Sequence, residues 1–205
     1  MDNEASVIGL FPTPLYHINL GNILQDKEIN FFESIEYELP LGVGCSTSKN
    51  HYILEDPQLE RLKAQIQKNV EHYFDTIIQP STNVQPYFTQ SWTTSTENNE
   101  NNHRHYHMNS IVSGVFYYDV DENTDSITFS KPETETIKIV PSEYNAFNSA
   151  FFDFKVKKND LILFPSTLFH MVKYKKGDSP RVCLAFNVFV KGTIGSYDSA
   201  TELFL

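Results

Sequence analysis

The chain of 205 residues predicts a mainly β protein in which two helices near the N-terminus cover one face of a sandwich or barrel. From residue 84 onward, short runs rich in β-branched and aromatic residues alternate with clusters of Asn, Asp, Pro, Gly or Lys. Many short strands at this spacing are typical of sandwiches and barrels. We expect one domain, with an edge strand and supporting helices in residues 1–80 and the β core in residues 81–205.

The N-terminal third supplies the edge strand and a first helix. Residues 6–20 are extended and contain two prolines, which favours a position at the edge of a sheet. Residues 23–38 carry apolar side chains at helical spacing with acidic residues between them, so we expect a helix there. Residues 40–52 are rich in Gly, Ser, Thr and Asn and are expected to form a loop.

The clearest helix begins at Asp56 and Pro57, an N-cap acid followed by proline at the first helical position. Apolar residues then recur every three or four positions along one face, and Pro80 ends the pattern. The opposite face is charged or polar. A helix with a single apolar face needs a flat apolar partner, and a β-sheet provides one.

The β core is predicted from runs of strand-forming residues bounded by turn signals. The expected strands are 84–96, 105–108, 111–119, 126–130, 135–140, 150–156, 160–164, 168–174 and 181–190. The lysines at positions 155, 157, 158, 173, 175 and 176 lie near the turns between these runs and are expected to be solvated.

Composition narrows the classes of partner and compartment. The net charge of −10 and the pI near 5.1 argue against a general nucleic-acid or anionic-membrane binder. Only Cys45 and Cys183 are present, which favours a reducing compartment. With neither a signal peptide nor an 18-residue apolar stretch recognised, we expect a cytoplasmic protein. Homodimer formation stays open.

Three histidines, His103, His105 and His107, fall within five residues of an expected strand. Side chains alternate along a strand, so all three are predicted to point to one face. Neutral imidazole is the commonest metal-binding side chain, and the cluster therefore suggests a metal site. The alternative is a polar edge strand with surface histidines, and alternation alone does not select a pair among the three.

Two residues further along could complete such a site. His170 stands alone on an apolar strand, where a core histidine is the alternative interpretation, but a third ligand on a distant strand would complete a facial metal site with open positions. Arg181 begins a strand whose one face is apolar and whose other face is small or polar. Its planar guanidinium suits a carboxylate held by two hydrogen bonds, the alternative being a surface salt bridge.

Taken together, these motifs resemble the Fe(II)- and 2-oxoglutarate-dependent oxygenases, in particular a subgroup common in marine bacteria and their phages. The resemblance rests on His-x-His followed by Asn-Ser-x-x-Ser-Gly-Val-x-Tyr, on Phe-Pro-Ser-x-Leu-x-His and on Arg-Val-x-Leu-Ala-Phe-Asn. Leu10-Phe-Pro-Thr-Pro-Leu15 and Gln90-Ser-Trp92 also fit. The resemblance implies a double-stranded β-helix, a jelly-roll core related to the cupins, with the two N-terminal helices packed on one sheet.

The resemblance also implies ligands and a reaction. His105, His107 and His170 match the Fe(II) positions, and Arg181 matches the anchor for the far carboxylate of 2-oxoglutarate. Ser113, Tyr117 and Asn187 would orient this cosubstrate, and His103 would line the pocket beside the ligands. The implied reaction uses O2 to convert 2-oxoglutarate to succinate while hydroxylating a C–H bond of an unknown substrate, either a protein side chain or a metabolite.

One departure from the wider superfamily concerns the second ligand. His107 stands where Asp or Glu is usual, and three neutral ligands leave Fe(II) its full charge, which should alter redox tuning. Two alternatives therefore stay open. One is a cupin-like three-His metalloenzyme that does not use 2-oxoglutarate, and the other is a non-catalytic β-barrel that binds a metal or ligand.

Overall fold

The computed structural model describes residues 5–42, 44–132, 137 and 139–205. Its main helices are α1 (Asp26–Glu33) and α2 (Glu60–Tyr73). The strands are β1 (Tyr16–Asn19), β2 (Tyr37–Glu38), β3 (Ser46–Ser48), β4 (Val84–Thr96), β5 (Asn102–His105), β6 (Val112–Asp119), β7 (Ser126–Ser130), β8 (Phe151–Lys155), β9 (Asp160–Pro165), β10 (Phe169–Val172), β11 (Arg181–Ile194) and β12 (Leu203–Phe204). The protein is thus mainly β, as expected.

The strands form two sheets with antiparallel pairing. The larger sheet has eight strands in the order β1-β9-β6-β11-β4-β3-β2, with β12 paired to β11. The smaller has four, in the order β5-β10-β7-β8. Strand β1 lies at the edge of the larger sheet, as its prolines predict. The long strand β11 lies between β4 and β6, and its two faces serve different parts of the molecule.

The second helix follows the sequence signals closely. The Asp56 carboxylate accepts a hydrogen bond from the backbone N of Gln58 at 2.8 Å, and a 3-10 turn over Pro57–Leu59 leads into α2. After α2 the chain continues as a π-helix over Phe74–Ile78. Gln79 ends it with a left-handed φ of 48°, immediately before Pro80. The helical segment therefore has the extent that its capping acid and terminal proline predict.

The first helix is shorter than predicted. It spans Asp26–Glu33 and is capped by Gln25, whose backbone N donates to the Glu28 carboxylate at 2.9 Å. The expected loop at 40–52 is wrong in part, because Ser46–Ser48 forms β3 between β2 and β4. This short polar strand owes its structure to pairing with distant residues, which local composition does not encode.

One core cluster joins the apolar faces of the helices to one face of the larger sheet. Leu184, Phe186 and Val188 of β11 belong to it, as the alternation of this strand predicts. Gly114 on β6 lies under this cluster, where a Cβ atom would collide with the Phe186 ring. The buried helical residues of the cluster are Phe31, Phe32, Leu62, Ile66, Val70, Tyr73 and Phe74.

A second core cluster lies between the two sheets. The larger sheet contributes Val115, Tyr117, Ile162, Phe164 and Cys183, and the smaller contributes Ile127 and Phe129. The candidate site is at this interface. In the part of the chain that the structure describes, we find no helix long and apolar enough to cross a membrane.

The strand predictions hold best where pairing is long and regular. Strands β4 and β7 have the predicted bounds. Of the strand expected at 135–140, residues 135, 136 and 138 lie outside the described residues, and residues 137, 139 and 140 are not in a strand. The strand expected at 105–108 is wrong in its bounds, because β5 ends at His105. There the chain leaves the ladder, and Asn109 turns it with a left-handed φ of 55°, a conformation that Asn tolerates.

Candidate metal centre

Three of the predicted site residues form one cluster. Ring nitrogens of His105, His107 and His170 lie within 4.8 Å of one another. His105 and His170 face each other across the β5–β10 ladder, with ring centroids 4.3 Å apart. The His107 ring centroid lies 5.2 Å from that of His105 and 5.1 Å from that of His170.

His107 reaches the cluster from a loop rather than from a strand. Because β5 ends at His105, alternation along a strand does not explain its direction, and that part of the prediction is wrong. Its backbone N donates to the carbonyl of Ser166 at 2.9 Å, and Ser166 N donates to the carbonyl of Ile111 at 3.1 Å. These bonds hold the loop against the turn that separates β9 from β10.

Hydrogen bonds to backbone carbonyls orient the first two rings. His105 Nδ1 lies 2.7 Å from the carbonyl oxygen of His103, and His170 Nδ1 lies 3.0 Å from that of Leu168. A carbonyl oxygen can only accept, so both Nδ1 atoms carry the proton in the neutral ring. The Nε2 atoms therefore keep the lone pairs that a metal needs.

Side chains, instead, orient the third ring. His107 Nδ1 lies 2.5 Å from Asn187 Oδ1 and 2.9 Å from Ser113 Oγ. Asn187 and Ser113 are paired across β11 and β6, so their side chains share one face of the larger sheet. Two of the residues predicted to orient the cosubstrate thus contact a candidate metal ligand directly.

Burial favours the neutral form of all three imidazoles. Burial, reinforced by the neighbouring His105, lowers the pKa of His170 to about 3, and only 5% of this residue is exposed. Burial also lowers the pKa of His105 and of His107. Neutral imidazole is the form of histidine that binds a transition metal.

Aromatic rings and one serine complete the surroundings, and the sequence pattern did not mark their roles. The Phe164 ring contacts His170 edge-on at 4.9 Å, and the Trp92 ring lies 5.7 Å from that of His107. Ser166 is buried and its hydroxyl lies 2.8 Å from that of Ser113. Trp92 and Ser166 both occur in motifs quoted above, so the motifs held a signal without indicating a function.

His103 lies beside the cluster without joining it. Its ring is exposed and its centroid is 5.1 Å from that of His105. What it contributes to the cluster is its carbonyl oxygen, which accepts the proton of His105 Nδ1. Replacing the side chain would leave that acceptor in place.

Arg181 is a buried cation that has no partner anion among the described residues. Only 3% of the residue is exposed, which rules out the surface salt bridge. Its Nη1 donates to the carbonyl of Ser126 at 3.2 Å, whereas Nε has no partner. Among residues 5–42, 44–132, 137 and 139–205, no carboxylate forms a salt bridge with it.

Two buried threonines lie on the same face. Thr96 is paired with Arg181 across β4 and β11, and its Oγ1 interacts with the Cys45 thiol. Thr47 on β3 is paired with Thr94 and has an unpaired Oγ1. Among the described residues, Thr47 Oγ1 and Arg181 Nε are thus buried polar atoms without a hydrogen-bond partner on this face, where most buried polar groups would have one.

Tyr117 also belongs to this face. It is paired with Cys183 across β6 and β11 and is almost fully buried. Burial raises the pKa of its phenol, an effect that the Arg181 guanidinium partly offsets. Tyr117 is therefore a neutral hydroxyl in the electrostatic field of the arginine.

Comparison with known protein families gives one match. Residues 90–187 match the family described as "Putative 2OG-Fe(II) oxygenase". The matched segment includes His105, His107, His170, Arg181 and Asn187. No curated protein sequence matches the chain.

Solved structures with low sequence identity share the fold. A 2OG-Fe(II) oxygenase family oxidoreductase from Burkholderia pseudomallei is 8% identical, with a TM-score of 0.59 over 85% of this chain and 83% of that chain. HygX from Streptomyces hygroscopicus, with nickel, 2-oxoglutarate and hygromycin B bound, is 14% identical, with a TM-score of 0.56 over 86% and 82%. A prolyl hydroxylase from Trichoplax adhaerens is 13% identical, with a TM-score of 0.57 over 85% and 83%.

Proposed function

We propose that this chain, a 2OG-Fe(II) oxygenase by the match of residues 90–187, holds iron through Nε2 of His105, His107 and His170 and acts as a hydroxylase. The observation that carries the proposal is the convergence of three imidazoles, that of His170 buried and those of His105 and His107 half-buried, whose ring nitrogens lie within 4.8 Å of one another. Each Nδ1 already has a hydrogen-bond partner, so the lone pairs of the three Nε2 atoms are free to bind one ion.

The donor set fits Fe(II), since imidazole suits iron and three protein ligands leave positions for other molecules. When bound, iron and 2-oxoglutarate would supply the oxidising chemistry, in which one O2 yields succinate, CO2 and a hydroxylated substrate. The protein supplies binding, orientation and exclusion of water. Phe164 and Trp92 serve the last of these by covering the rings of His170 and His107.

For the cosubstrate anchor we propose Arg181. The support is its burial without a carboxylate partner and the unpaired Nε. The distal carboxylate of 2-oxoglutarate would neutralise the guanidinium, and the hydroxyl of Thr47 could donate to the same anion. Tyr117, neutral and near the arginine, would bound this pocket.

We extend the proposal to the parts of the chain around the site. Residues 1–205 would form one domain, a double-stranded β-helix in residues 81–205 with α1 and α2 supporting one sheet from residues 1–80. The substrate would be a protein side chain or a metabolite, and the compartment the cytoplasm. The origin in marine bacteria or their phages stays a prediction.

The test of the ligand set is an anaerobic Fe(II) titration followed by calorimetry. We expect His105→Ala, His107→Ala and His170→Ala each to abolish tight binding, because two imidazoles alone hold iron weakly. His103→Ala is the matched control and should bind like the parent protein. A titration in which His103 is required and His107 is dispensable would refute the proposed set.

The test of the reaction uses 2-oxoglutarate. The family resemblance predicts a weak visible absorption band when 2-oxoglutarate is added to the anaerobic Fe(II) protein, and succinate when O2 follows. Iron binding without the band and without succinate would favour the three-His enzyme of another class or the binding protein. Succinate formed with undiminished cosubstrate affinity in Arg181→Met would overturn the role of the arginine.

A further inference from the structure

The three candidate ligands differ in what holds them. His105 and His170 donate to backbone carbonyls, acceptors that no substitution removes. His107 alone depends on side chains, those of Asn187 and Ser113. It is also the ligand that stands where the wider superfamily has a carboxylate. His107, the ligand whose identity changes the charge of the site, is therefore also the ligand whose orientation depends on side chains that a substitution can remove.

A chain of serine hydroxyls continues from this point into the protein. Ser113 Oγ lies 2.8 Å from Ser166 Oγ, which lies 2.8 Å from Ser110 Oγ. Ser110 Oγ ends the chain 3.0 Å from the carbonyl oxygen of Val112 and 3.2 Å from that of Val188. Ser113 and Ser166 are buried, so water is not an alternative partner for them.

The proton order in this chain follows from its end. A carbonyl only accepts, so the single hydroxyl proton of Ser110 points to it. Ser166 must then donate to Ser110, and Ser113 to Ser166. Ser113 Oγ is left to accept from His107 Nδ1, which therefore carries a proton.

Asn187 also favours a proton on His107 Nδ1. Its Oδ1, 2.5 Å from His107 Nδ1, would repel an unprotonated nitrogen. Ser113 also lies 3.0 Å from this oxygen, and even if its proton turned that way, Nδ1 would still have to donate. The backbone of the sheet sets the direction of the Asn187 side chain. The β4–β11 register shifts between Phe186 and Val188, and an irregularity of this kind changes the direction of the side chain at that position.

We propose that Asn187, backed by Ser113, Ser166 and Ser110, is a positioning residue for His107. It fixes the Nδ1–H tautomer, aims Nε2 at the metal and, as the acceptor of a short hydrogen bond, raises the basicity of the ring. A partner of this kind orients a ligand and strengthens its donation. The inference rests on the proposed metal site and replaces the expected role of Asn187 and Ser113 as contacts to the cosubstrate.

The experiment compares Asn187→Leu with Asn187→Asp by titrating Ni(II) and anaerobic Fe(II) into the metal-free proteins. Leu has a similar volume and no acceptor, so metal affinity should fall about 10- to 100-fold, the usual effect of losing such a partner. Asp keeps the acceptor and should restore affinity to the parental value or above it. Ser113→Ala should lie between the two.

A second measurement separates positioning from other roles. The affinity for 2-oxoglutarate, taken at saturating metal, should change less than about threefold in Asn187→Leu, because losing a direct hydrogen bond to a charged group costs more than that. Thermal unfolding of the metal-free Asn187→Leu protein shows whether the variant is folded. If it is not, Asn187→Gln serves, since it keeps the amide and displaces the acceptor.

Two outcomes would overturn the inference. One is unchanged metal affinity in folded Asn187→Leu, and the other is weakened 2-oxoglutarate binding at full metal affinity. A parent protein that binds metal through Asn187-dependent His107 but does not turn over 2-oxoglutarate would leave the inference intact and defeat the proposed reaction. A parent protein that binds no metal would defeat the proposed site and, with it, this inference.

Discussion

Two buried cations in this protein differ in whether a carboxylate of the fold neutralises them. Lys175 has a side chain only 1% exposed, and its Nζ donates to both oxygens of Asp125 at 3.0 and 3.2 Å. Arg181 is buried to the same extent, with 3% of the residue exposed against 4% for Lys175, yet among the described residues it donates a hydrogen bond to a carbonyl and forms no salt bridge with a carboxylate. The first cation is neutralised within the fold, and the second is left open to an anion from outside.

This difference indicates that one cation contributes to the stability of the fold and that the other is available for binding. A buried charge is costly to desolvate, and removing its partner leaves that cost uncompensated. The Lys175–Asp125 pair is therefore part of what keeps the fold intact, because each charge has its counterion. Arg181 has no such counterion in the part of the chain that the structure describes, so an anion bound to it would offset part of the cost of burying the guanidinium.

The largest expected effect comes from breaking the internal pair. Asp125→Ala leaves Lys175 buried and unpaired and should lower the free energy of unfolding by about 3–5 kcal/mol, measured by urea denaturation. The control is Lys173→Ala, which breaks the exposed pair with Asp153 and should cost at most about 1 kcal/mol. Equal losses in the two variants would contradict the distinction between the pairs.

Removing the open cation should affect binding and spare the fold. Arg181→Met keeps an apolar stem of similar length, so stability should be unchanged or higher. The affinity for 2-oxoglutarate should fall by at least about 30-fold, since losing one partner of a buried charge pair costs about 2–5 kcal/mol. Calorimetry on metal-loaded protein measures both quantities, and a destabilisation as large as that of Asp125→Ala would remove the contrast.

The cosubstrate itself should stabilise the protein through the same residue. At a concentration 100 times Kd, 2-oxoglutarate should add about 2.7 kcal/mol to the metal-loaded parent protein. The expected rise in Tm depends on Arg181, so Arg181→Met should show little of it at that concentration. A similar rise in both proteins would place the carboxylate elsewhere.

The smallest expected effect comes from the partly exposed pair of Glu28 and Arg61, whose contribution to stability depends on pH. Burial of Glu28 opposes ionisation, but hydrogen bonds from Arg61 and from Gln25 outweigh it and lower the pKa of the carboxyl group. Its stabilising contribution, about 1 kcal/mol, is therefore present above the unfolded pKa and lost as the pH falls through the folded one. Glu28→Gln should flatten that acid limb of stability, and an unchanged limb would contradict the assignment.

The sequence predicted those features that depend on neighbouring residues. The capping acid Asp56 and Pro80 bound the second helical segment, and the bounds of β4 and β7 agree with the pattern. The family match over residues 90–187 and the histidine cluster support the prediction of a 2OG-Fe(II) oxygenase. These signals are local, or are motifs whose spacing the fold fixes.

What the sequence did not predict depends on distant contacts. Lys175 was expected in a solvated turn and is buried, because Asp125 lies beside it across the fold. His107 was placed on a strand that ends before it, since the turn at Ser166 captures its backbone. The serine chain behind Asn187 joins residues far apart in sequence, and no local pattern reveals such a network.

The arrangement of the cluster has a mechanical consequence. His105 and His170 belong to the smaller sheet, whereas His107 is bonded to Asn187 and Ser113 of the larger one. An ion bound by all three rings would connect the two sheets at one end of the core between them. Opening the smaller sheet would then require releasing the ion, so amide hydrogens of β5 and β10 should exchange more slowly once the site is filled.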